Sequence, residues 1–112
     1  MLSVVTVGWM GESDLLRAAA AVACGCGHPA AEPLLREADA RVLRVVDAVN
    51  CELFSSGASG VVAGSRILLG SPEHLERQGV SLVGLPPFEV HDDMLFMAAD
   101  GRFAGFVRVQ AW

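Results

Sequence analysis

The spacing of apolar positions changes near the middle of the chain. "SVVTVGW" at residues 3–9 is rich in β-branched side chains and predicts a strand. In "GESDLLRAAAAVAC", acidic residues fill the first turn, and Leu15, Leu16, Ala19 and Val22 recur at helical spacing. Gly25 and Gly27 are expected to stop that helix. "HPAAEPLLREADARVLRVV" predicts a second helix with Pro29 at its first position, where a missing N–H costs nothing. Pro33 should then distort the first turn.

The second half is punctuated by Ser and Gly. "NCELF", "GVVAG" and "RILLG" read as short strands joined by tight turns. "SPEHLERQGV" predicts a helix with Ser71 as N-cap, Pro72 at the first position, Glu73 in the first turn and Gly79 as the stop. "SLVGLPPFEVHDD" reads as a loop, because Pro86-Pro87 cannot sit in a central strand. "MLFMAADGRFAGFVRV" is a hairpin signature around Asp100-Gly101. The order predicts an α+β domain, a twisted, mainly antiparallel sheet flanked by helices.

Composition narrows the function classes. The 112 residues, 53% hydrophobic, suit a single domain spanning residues 1–112 and exclude a disordered chain. A net charge of −5 argues against a nucleic-acid partner. No apolar run approaches the roughly 20 residues of a membrane span, and no basic leader precedes the first strand. Three cysteines do not make a disulfide framework, so reduced cytosolic thiols are the expectation.

"ACGCGHPAAEP" at residues 23–33 raises a chemical question. Cys24, Cys26 and His28 offer thiolate and imidazole to a soft ion, but a structural zinc site wants four ligands and C-x₂-C spacing. The simpler reading makes both cysteines small hydrophobes at a helix end. A Cys/His nucleophile pair two residues apart rarely faces itself productively. Asp92-Asp93 reads as a solvated loop, and His74, among Glu73, Glu76 and Arg77, as a surface residue. Neither phosphate-binding glycine signature, G-x-x-x-x-G-K-[ST] or G-x-G-x-x-G, occurs.

Four segments in order carry a resemblance. "GHPAAEPLLREA" resembles the "SEHPLA-x-A-I-x-x-A" segment of heavy-metal P-type ATPases. "LFSSGASGVVAGSRILLGSPEHLERQGV" resembles that family's "PGxGVxGxVDGxxVLVGxxxxLxxxGV", and "MLFMAADGRFAGFVRV" its "TVVFVAVDGRLAGVIAL" hairpin. "ESDLLRAAAAV" is similar to the helix before the family's His-Pro pair. The resemblance covers nearly the whole chain and implies the nucleotide-binding (N) domain of such a pump. It implies a cytoplasmic domain, monomeric alone, that binds ATP (with Mg in the intact pump) and works beside phosphorylation and actuator domains. Transmembrane helices and the "DKTGT" aspartate that receives the γ-phosphoryl group are not in this sequence, so the isolated chain should not hydrolyse ATP efficiently.

The resemblance also implies site residues. His28 matches the histidine beside adenine, and Gly27 precedes it. Gly57 matches the second glycine of "GxG", and Gly70 the glycine closing "VLVG", with Ser71 next. Ser55 takes the place of the first "GxG" glycine, Phe54 of the preceding proline, and Ala58 of the following valine. Ala23 stands where the family has an adenine-accepting Glu, and Cys26-Gly27 where it has "SE". Cys24, Cys26 and Glu52 are candidate substitutes for the lost acceptor. A second function class fits the same departures: a degenerate domain for regulation or interaction, sensing metal through Cys24, Cys26 and His28.

Overall fold

A computed structural model describes residues 2–6, 11–27, 31–54, 57–80 and 94–109. Among the described residues, six strands form one antiparallel sheet: β1 (Leu2–Thr6), β2 (Val49–Phe54), β3 (Gly57–Val62), β4 (Ser65–Gly70), β5 (Met94–Ala99) and β6 (Arg102–Val109), in spatial order β1-β6-β5-β4-β3-β2. The β5–β6 hairpin turns on Asp100 and Gly101, both at positive φ as its tight turn requires. Asp100 Oδ1 also accepts from the Arg66 amide at 2.9 Å, tying this turn to β4.

Helix α1 (Glu12–Cys26) lies across one sheet face and is itself covered by α2 (Ala31–Ala40). Sandwiched this way, it buries Leu15, Leu16, Val22 and a run of alanines nearly all round. α2, with one side in solvent, buries only Leu34 and Ala38. The short α3 (Pro72–Arg77) covers the other face, where Leu75 and Val80 meet Leu68, Phe96 and Phe103. Coverage of both faces explains why "ILLG" and "LFMAA" are apolar at every position rather than at alternate ones.

A bulge in β6 has a packing purpose. Met97 opposes Gly105 while Ala98 opposes Phe103, so Ala104 is the extra residue. The shift brings Phe106 to the same side as Phe103, and Phe96 contacts both rings, with centroids 5.4 and 5.9 Å away.

Two helix boundaries differ from the sequence reading. α1 continues through Gly25 to Cys26, and Gly27 alone ends it, in the left-handed conformation at φ 72°. α2 ends at Ala40 rather than near residue 46, because Leu43 turns back to the core: its amide donates to Ala38 O at 2.8 Å and that of Val42 to Asp39 O at 3.0 Å. Pro33 fits without a lost bond, since the described helix begins at Ala31 and its first turn has N–H groups to spare. The expected loop at residues 81–93 and the end of the first predicted strand lie outside the described residues.

Candidate functional site

The expected site residues that are described gather at one end of the sheet. Gly57 and Gly70 are direct cross-strand partners at the ends of β3 and β4. Ser71 follows Gly70 and caps α3, its Oγ accepting from the His74 amide at 3.2 Å. The C-terminal end of α1 reaches the same region: Cys26 Sγ lies 3.4 Å from both Glu52 O and Ser59 O, one cross-strand pair of β2 and β3. Gly27, the cap of α1, is therefore set beside the strands that lead to Phe54 and Gly57. His28 and Ser55 lie outside the described residues.

Packing alone demands glycine at 57. A Cβ there would stand 2.1 Å from Leu69 O, 2.7 Å from His74 Cδ2 and 2.9 Å from Gly70 Cα. The imidazole of His74 thus occupies the space beneath the glycine pair. This corrects the expectation of a surface histidine, for His74 is only 3% exposed. Its ring packs against Phe54 at 5.3 Å between centroids. Burial pushes its pKa below the usual histidine value, and the nearby Arg77 charge adds to that. The signal was readable in principle: a Ser71 cap fixes the phase of α3, and that phase turns His74 inward with Leu75.

Ala23, the position of the missing acceptor, is fully buried in the main core. Of the candidate substitutes, Cys24 and Glu52 are exposed, whereas the Cys26 thiol is turned onto the β2–β3 carbonyls. Among the described residues, no group of three or more His, Cys, Asp or Glu side chains could hold a metal ion.

No family model and no curated protein matches the chain. Solved structures do. The N-domain of HMA6, a copper-transporting P-type ATPase, superposes with a TM-score of 0.78 at 26% identity, over 95% of this chain and 93% of that one. The chain has the fold of the N-domains of heavy-metal P-type ATPases. A zinc-transporting PIB-type ATPase in its E2.Pi state matches 94% of this chain with 18% of its own length, at 24% identity and a TM-score of 0.68. The catalytic domain of the CPx-ATPase CopB-B, in a structure concerned with conformational changes on nucleotide binding, matches 92% of this chain with 35% of its own (18% identity, TM-score 0.59). No helix of this chain, among the described residues, is long and apolar enough to cross a membrane.

Proposed function

We propose that this N-domain holds the adenosine part of ATP and presents the γ-phosphate to a separate phosphorylation domain of a heavy-metal pump. The supporting observation is the convergence of three segments that resemble the family's nucleotide loops. The Gly57–Gly70 pair, the Ser71 cap and the Gly27 end of α1 stand together at one sheet end, although they are far apart in sequence. The likeness to an N-domain of a copper-transporting ATPase and to a catalytic domain studied on nucleotide binding supports the same reading.

In this reading His28 orients the adenine, and the amides about Gly27, Gly57 and Gly70 approach the nucleotide. Mg accompanies ATP in the intact pump, actuator and phosphorylation domains complete the machine, and the domain works on the cytoplasmic side. Copper and zinc are the cargoes named for similar proteins, and the cargo of this pump belongs to that class.

Amide NMR tests the proposal. ATP should shift the resonances of Gly27, His28, Gly57 and Gly70, and His28→Gln should weaken binding by roughly tenfold if one hydrogen-bonding or stacking contact is lost. Unmoved amides at millimolar ATP would sink it.

A further inference from the structure

Cys26 and Cys51 come from the end of α1 and from the edge strand β2, and neither motif reading paired them. Each thiol lies beside the other's chain neighbour, Cys51 Sγ against Gly25 and Cys26 Sγ against Glu52 O. Two glycines on facing elements make the room: a Cβ on Gly25 would stand 2.6 Å from Cys51 Sγ, and one on Gly60 3.2 Å from it. Cys26 Sγ is held from the other side by Glu52 O and Ser59 O at 3.4 Å. Cys24, by contrast, faces solvent.

We infer that Cys26 and Cys51 form a dithiol site that closes to a disulfide by exchange with a low-molecular-weight disulfide such as oxidised glutathione. The surroundings favour that product over a metal complex. Burial opposes thiolate charge, and the Cys26 thiol is accordingly pushed up to about 11, chiefly by that burial and then by Cys51. A disulfide is neutral, whereas Cu(I) held by two thiolates would leave a net negative charge in the same place, and Zn(II) would lack two of its usual four ligands among the described residues.

Cys26 Sγ is held by two carbonyls, and Cys51 opens the exchange. Its sulfur attacks the small disulfide, and the first small thiol leaves with the Cys51 proton. The Cys26 sulfur then attacks Cys51 Sγ in the mixed disulfide, and the second small thiol leaves with the Cys26 proton. Two protein thiols are oxidised, one small disulfide is reduced, and no other reactant is needed. The bond would join a core helix to a strand that, among the described residues, pairs only with β3 and is bulged between Val49 and Glu52. This site stands whether or not the chain binds ATP.

Treating the reduced chain with oxidised glutathone's standard redox couple, over a range of ratios, tests the site by intact mass and peptide mapping. The expected product has lost two hydrogens, carries no glutathione, links Cys26 to Cys51 and leaves Cys24 open to alkylation. Its unfolding midpoint should rise by roughly 10 °C, and reduction should reverse the rise. Cys24→Ser should form the same bond, whereas Cys51→Ser should give only mixed glutathione adducts. Retention of both thiols in strongly oxidising buffer, or a bond that includes Cys24, would overturn the inference. So would a Cu(I) complex of the reduced chain that requires both Cys26 and Cys51 and survives glutathione.

Discussion

The two faces of the sheet are filled in opposite ways. On one, α1 brings small side chains, Ala18, Ala19, Ala20 and Ala23, into the core between the sheet and α2. On the other, a helix of six residues suffices because Phe96, Phe103 and Phe106 supply the volume themselves. Small residues bring backbones together, so the α1 face is where a helix end, two thiols and the strand carbonyls meet. Large rings exclude water, so the α3 face carries stability in a few side chains. The glycine pair lies at the border, with His74 of the aromatic side filling the space under Gly57.

The sharpest test of that division is Phe96→Ala. Phe96 is fully buried between two other rings, and its loss should cost about 4 kcal/mol, read by urea unfolding. A cost below that of an ordinary surface change would mean that the aromatic cluster is not what holds this face.

Ala23→Glu attacks the other face. It restores the carboxylate of the family pattern, but at a position with no exposed surface. Burying an unpaired carboxylate should destabilise the chain by about 3 kcal/mol without strengthening ATP binding. Tighter ATP binding at unchanged stability would show that position 23 faces the nucleotide and not the core.

Protonation tests the border between the faces. His74 has its folded pKa lowered below the ordinary 6.5, first by burial and then by Arg77. Above pH 6.5 the imidazole is neutral in both states and contributes no pH dependence. As pH falls below 6.5 the unfolded chain takes the proton first, so stability drops until the folded pKa is reached, by at most about 1.4 kcal/mol per pH unit. In His74→Phe this part of the slope should vanish. An unchanged slope would assign it to other groups.

These contacts also mark where sequence reasoning succeeds. Patterns set by local chemistry were legible: the Ser71 cap, the Asp100-Gly101 turn and the apolar runs of β4 and β5 all follow from neighbouring residues. The inward turn of His74 and the meeting of Cys26 with Cys51 depend on which elements pack together. The phase set by the Ser71 cap carries the first, but no residue spacing encodes the second. Of the candidate site, Gly57, Gly70 and Ser71 could be placed together from the family pattern, but the packing need for Gly57 could not, since it comes from Leu69 and His74.

The end of α2 gives the smallest and most local test. α2 and α3 finish with the same pair of backbone bonds: Val42 and Leu43 donate to Asp39 O and Ala38 O, as Gly79 and Val80 donate to Glu76 O and Leu75 O. Both motifs put one residue in the left-handed region, Gly79 at φ 91° and Val42 at φ 57°. A β-branched side chain is strained there, and Val42, 91% exposed, has little packing to offset it. This is why the sequence, lacking a glycine at 42, reads as a helix that runs on. Val42→Gly should stabilise the chain by about 1 kcal/mol and raise the melting midpoint by roughly 5 °C. The reciprocal Gly79→Val should lower stability by about the same amount. If Val42→Gly is instead destabilising, Val42 makes contacts that its exposure denies, and the stop of α2 rests on its side chain rather than on the return of Leu43 to the core.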